Sequence, residues 1–143
     1  MLVYNKYLKE LGLKKSDFVD KKDPRYELDK EYGVVEAQTW NLYETIVLEL
    51  YVYLRDFQDR FMRVSTPIQF VEKYEDGEIK HIEGGEKDWH KIVQQIVDGL
   101  KAYITAESMI AMNEEAEAER RKLYEQFEEA WKLLGDNLRH FWW

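Results

Sequence analysis

The chain contains no cysteine. Disulfide frameworks, thiolate catalysis and cysteine-ligated zinc are therefore excluded. Proline and glycine are also scarce, with 2 and 7 in 143 residues, so turn chemistry for many short strands is missing. Apolar stretches are broken every few residues by Glu, Arg or Asp, well short of the roughly 20 residues a membrane-spanning helix needs. Basic clusters are sparse as well. The densest, Arg120-Arg121-Lys122, directly follows Glu114, Glu115, Glu117 and Glu119. With a net charge of -8, direct nucleic-acid binding is not expected, because phosphate recognition needs clustered Lys and Arg. The opening Met-Leu-Val-Tyr-Asn-Lys soon runs into charge, so no signal peptide is expected and the expected location is a cytoplasm.

What the chain does have is apolar and charged residues in quantity, 45% and 35%. That is enough apolar content for one core, in a pattern suited to a few long helices. The expected fold is mainly α: a three-long-helix bundle with a short N-terminal helix and arm, and a small β-hairpin at about 68–82.

Two regions are expected, an N-terminal helix and charged arm over 1–38 and a helical bundle domain over 39–143. In the arm, Leu2, Val3, Tyr4, Tyr7, Leu8 and Leu11 suit one small helix ending at Gly12. Eight basic and eight acidic residues then leave the stretch neutral overall, with Pro24 breaking it. The first long helix is predicted from Thr39 or Asn41, with Asn41 and Glu44 at capping-box spacing, to a stop before Pro67. Tyr43, Ile46, Val47, Leu50, Tyr51, Leu54, Phe57 and Phe61 recur on one face. Leu42, Leu48, Val52 and Tyr53 widen it, so this helix should be contacted on two sides.

Residues 68–74 and 78–82 around Glu75-Asp76-Gly77 read as the hairpin. A second helix is predicted from Glu86 to Asp88 onward, with Trp89, Ile92, Val93, Ile96, Val97, Leu100, Tyr103 and Ile104 on its face. Gly99 interrupts it, at a cost of about 1 kcal/mol relative to Ala if exposed, or, near the buried face, lets another helix approach closely. The third runs from Glu114 to Leu134, with Gly135 as its cap or bend and Leu138, Phe141, Trp142 and Trp143 as a final apolar turn.

No catalytic signature emerges. Gly84-Gly85 lacks the spacing and lysine of a phosphate loop, and only Ser65 and Ser108 follow the arm. Glu86 with His90, and Asp136 with His140, stand four apart, which suits an exposed ion pair better than a metal site. The carboxylates Glu114, Glu115, Glu119, Glu128, Glu129 and Asp136 faintly echo the facing Glu and Asp of all-α nucleotide pyrophosphatases. They fall mostly opposite the apolar face, and a solvated surface accounts for them. No cofactor is expected. Trp40, Trp89 and Trp131 are expected to pack in the core. Trp142 is expected to close the core, and Trp143 either does so or forms an interface.

Thr39-Trp40-Asn41-Leu42 opens one helix, Asp88-Trp89-His90-Lys91-Ile92-Val93 opens the next, and Arg139-His140-Phe141-Trp142-Trp143 ends the chain. This order resembles a family of small bacteriophage and prophage proteins, over roughly residues 39–143. Tyr43-Glu44 stands where members often have Asp-Tyr, and Ala130 where a Gly is usual. The resemblance implies a phage origin and a shared helical core, and carries no activity with it.

The expectation is a non-enzymatic phage accessory protein that binds a host or phage protein in the host cytoplasm, as an inhibitor or modulator of a host or defence protein. Its candidate interface residues are Glu114, Glu115, Glu119, Glu125, Glu128, Glu129 and Trp143, the acids facing a basic partner. Alternatives are a virion or assembly component, homo-oligomeric through its terminal tryptophans, and a Mg-dependent all-α nucleotide hydrolase or a nucleotide-binding sponge.

Overall fold

A computed structural model of the chain describes residues 2–18 and 22–141. It is mainly α, with three long helices and one small antiparallel hairpin, as expected. The chain divides into two compact units, Met1–Tyr53 and Leu54–Trp143.

In the first unit, α1 (Lys6–Glu10) starts at Asn5, whose side chain accepts from the backbone N–H of Tyr7 and Leu8. It buries Tyr7 and Leu8. The arm that follows is built from short turns. Two single 3-10 turns cover Lys15–Asp17 and Pro24–Tyr26. Leu28 then bridges to Val35 around a turn in which Asp29 accepts from the N–H of Glu31 and Tyr32. Short α2 (Glu36–Trp40) and long α3 (Leu42–Arg60) meet at Asn41. The Thr45 hydroxyl spans that junction by donating to the Gln38 carbonyl at 3.2 Å. Leu42–Tyr53 of α3 belongs to the first unit and Leu54–Arg60 to the second.

The second unit is organised by α5 (Gly85–Ser108) and α6 (Glu114–Asn137). Contacts between them descend one helix as they climb the other, from Trp89 with Phe141 to Tyr103 with Phe127 to Ala106 with Arg120. The pair is therefore an antiparallel helical hairpin. Val93, Ile96, Val97, Leu100, Phe127 and Leu134 are buried along it, at three-and-four spacing on each helix.

Two glycines set the spacing. A Cβ on Gly99 would lie 2.0 Å from the Ala130 Cβ, so the helices cross with the backbone of α5 against α6, the close approach expected of that position. A Cβ on Gly85 would lie 1.5 Å from the Phe70 carbonyl oxygen, which seats α4 (Ile68–Val71) on the first turn of α5.

Helix α4 corrects the sequence reading, which took 68–74 as one strand. Pro67 stands at its N-cap, and the N–H of Phe70 closes a turn onto the Pro67 carbonyl. The strand begins only at β1 (Glu72–Glu75), which pairs with β2 (Glu78–His81) in the register Tyr74 to Ile79. Asp76 and Gly77 both have positive φ, 55° and 79°, the type I′ turn that Asp-Gly favours.

Gly135 is a second correction. The sequence reading makes it a cap or bend, whereas α6 continues through it to Asn137 and into a 3-10 turn, Leu138–His140. Beyond that turn Phe141 packs its ring on Phe57 at 5.4 Å and on Trp89 at 4.9 Å. Trp142 and Trp143 lie outside the described residues.

Candidate functional site

Helix α3 carries two apolar stripes where a helix on a core needs one. Val47, Tyr51 and Leu54, flanked by Leu48, follow a 4-3 spacing and are buried. Leu42, Ile46, Leu50 and Tyr53 follow a 4-4-3 spacing on a different side of the helix. Of these, Leu42, Ile46 and Tyr53 are exposed and Leu50 is half-buried. The sequence reading expects the widened face to be contacted on two sides, which the exposure of Leu42, Ile46 and Tyr53 corrects. Trp40, expected in the core, is 78% exposed at the end of α2, just before the junction at Asn41. Its indole N–H donates to Glu36 Oε1 at 3.3 Å, one turn earlier in α2.

From Leu42 to Tyr53 this face is about 16 Å long at 1.5 Å per residue. Single exposed apolar residues are ordinary on a protein surface, but a row of them along one side of a helix, with an exposed Trp on the adjoining α2, is the pattern of an interaction surface. Beside it lies a groove between the 33–35 backbone and the two helices. Val34, Val35 and Leu42 give the groove apolar walls; Thr39, Thr45 and Glu49 give it polar groups.

The acids named from sequence sit on α6, and all six are exposed. They do not converge. At 3.6 residues per turn, Glu114, Glu115, Glu119, Glu125, Glu128 and Glu129 spread over about half the circumference of the helix. Glu114 and Glu115 also have a local structural role. Asn113 caps α6 by accepting from the Ala116 N–H at 2.8 Å, and acids in that first turn complement the helix dipole. Trp143 lies outside the described residues. Among the described residues no three His, Asp or Glu side chains are grouped to hold a metal ion. None of the helices searched is long and apolar enough to cross a membrane.

His90 and His140 take structural partners. His90 Nε2 lies 3.9 Å from Glu86 Oε1, the expected pair, and 3.3 Å from the Met62 carbonyl oxygen. His140 instead turns its ring edge-on to Phe70 at 5.9 Å. Burial, and secondarily the charge of Arg139, holds its pKa below the usual histidine value.

Near the tip of the α5–α6 hairpin, Arg120 Nε donates to the Ala106 carbonyl in the last turn of α5, where carbonyls lack helical donors. Its Nη2 donates to the Tyr124 hydroxyl, which donates to Glu107 at 2.5 Å. The hydrogen bond to Glu107 raises the pKa of Tyr124, and the bond to Tyr124 raises that of Arg120, so both keep their protons at neutral pH. This network locks the helix ends together and leaves no activated nucleophile. Ile110 and Met112 at the tip are exposed as well.

Sequence reasoning missed the site at α2–α3 because a stripe's spacing does not say whether it is covered. Its one signal was the surplus: too many apolar residues around α3 for a single contact. Comparison with protein-family models, with curated proteins and with solved structures finds no match for this chain.

Proposed function

We propose that this protein is a non-enzymatic phage accessory protein that binds another protein in the host cytoplasm, as an inhibitor or modulator of a host or defence protein. The observation that carries the binding reading is the second apolar stripe of α3 with Trp40. Burying aromatic and aliphatic side chains of this size against a partner supplies most of the free energy in typical protein interfaces. The resemblance to phage proteins motivates the biological setting.

The test is affinity capture of the tagged protein from lysate of an infected host, run beside a variant carrying Leu42→Gln and Tyr53→Gln. The reading expects a stoichiometric protein that the wild type retains and the variant loses. A protein retained equally by both would move the interface elsewhere. No specific capture by either would remove the reading.

A further inference from the structure

We infer that two copies of this chain associate through their hairpins, β2 against β2 and antiparallel, with Ile79 at the two-fold axis. The paired hairpins form one four-stranded sheet. This goes beyond the protein-binding reading and does not depend on the α2–α3 face.

The first observation is an open edge. Among the described residues β2 has no strand beside it except β1, and both strands are exposed apart from half-buried Lys80. A two-stranded ribbon so placed is marginal by itself and is steadied by further strands. The ladder fixes which groups face outward. The Ile82 N–H donates to the Val71 carbonyl at 2.6 Å, one pair beyond Glu72 with His81. Bonded and non-bonded pairs alternate from there, so Lys73 with Lys80 and Glu75 with Glu78 carry the bonds between the strands. The N–H and C=O of Ile79 and His81 therefore point away from β1, along the outer edge of β2.

The second observation is charge, which selects the occupant and the register. Within the hairpin like charges stand directly opposite, Lys73 to Lys80 and Glu75 to Glu78, which weakens an antiparallel pair. Lys73 and Lys80 lie 3.1 and 3.5 Å from Glu75, and Lys80 lies 3.6 Å from Asp76. None of these pairs takes in Glu78. With Ile79 opposite Ile79 of a second copy, the two exchange N–H···O bonds, and Glu78 of each copy stands opposite Lys80 of the other. A shift of two residues either way keeps the bonding pattern but sets Lys80 against Lys80, or Glu78 against Glu78. Only the register centred on Ile79 is complementary. It also lines up Tyr74 and Ile79, 77% and 71% exposed on one face of the hairpin, with their counterparts in a single apolar row. The edge of β1 has less to gain, because Lys73 and Glu75 already pair along that strand.

The experiment is sedimentation velocity of the full-length chain from about 10 µM to about 1 mM. A contact this small is of the weak class, so a dimer with Kd of roughly 0.1 mM is expected. Glu78→Lys should weaken it at least about tenfold, since it sets a cation against Lys80 of the second copy. Inside the hairpin the same change sets unlike charges opposite each other, at Glu75, so loss of the hairpin does not account for the effect. Adding Lys80→Glu to that chain should restore the association. Ile79→Pro removes an outward N–H without touching a bond to β1, and should abolish the dimer. Tyr74→Pro does the same on β1 and should leave the dimer in place.

A chain that stays monomeric up to about 1 mM would overturn the inference. So would a dimer indifferent to both Glu78→Lys and Ile79→Pro, its contact then lying elsewhere. A dimer lost through Tyr74→Pro alone would belong to β1 and overturn it as well. None of these results bears on the protein-binding reading, which is tested by capture through Leu42 and Tyr53.

Discussion

Gly99 and Ala130 meet where α5 and α6 cross, so closely that a methyl group on Gly99 would stand 2.0 Å from the Ala130 Cβ. The approach is what lets Val93, Ile96, Leu100, Phe127 and Leu134 share one core. Gly99→Ala should destabilise the fold by about 1–3 kcal/mol, since α6 must move outward to admit the methyl. Adding Ala130→Gly should recover part of the loss. The two changes are coupled, and a double-mutant cycle by thermal or denaturant unfolding reads the coupling.

Gly135 should respond in the opposite direction. It lies inside α6 with helical backbone, and a Cβ built there meets nothing within 4 Å. Gly135→Ala should stabilise by about 0.5–1 kcal/mol, because alanine restricts the unfolded chain and costs nothing in the helix. A drop in melting temperature would show that the helix needs the glycine.

Acid should weaken the fold through His140. Its folded pKa lies below the ordinary 6.5, chiefly because burial disfavours the imidazolium. The unfolded chain therefore takes up the proton first. The stability this group contributes is fully present above about 6.5 and is lost as pH falls through the lower folded value. His140→Phe keeps an aromatic ring against Phe70 and removes the titration. Melting temperatures followed from about pH 7 to about pH 5 should fall less steeply in that variant than in the wild type.

The α2–α3 face should separate stability from binding. Leu42 and Tyr53 are exposed, so Leu42→Gln with Tyr53→Gln should change unfolding free energy by no more than about 0.5 kcal/mol per site. Partner affinity should fall at least about tenfold, the loss expected when interface anchors are truncated. A large loss of stability would instead mean the stripe is held by the fold.

Much of this architecture is legible in the sequence. The three-and-four spacing of Trp89, Val93, Ile96 and Leu100 marks α5, and Asp76-Gly77 marks the hairpin turn. Less legible is whatever tertiary contact decides. Ile68-Gln69-Phe70-Val71 alternates like a strand, yet it forms a helical turn after Pro67, with its carbonyl seated on Gly85. Gly135 has the look of a cap, but apolar Leu134 and buried Asn137 on either side carry the helix past it. On α3 the apolar positions are plain, while the division into a covered and an uncovered stripe depends on what the rest of the chain can reach. The acids of α6 illustrate the converse: abundant in sequence, they are dispersed around the helix once its geometry is imposed.

Hydrogen–deuterium exchange of the protein with and without its captured partner tests the central claim most directly. The account predicts slowed exchange concentrated in residues 36–53, over α2 and the first half of α3. Protection confined to residues 110–129, over the hairpin tip and the acids of α6, with 36–53 unchanged, would contradict it.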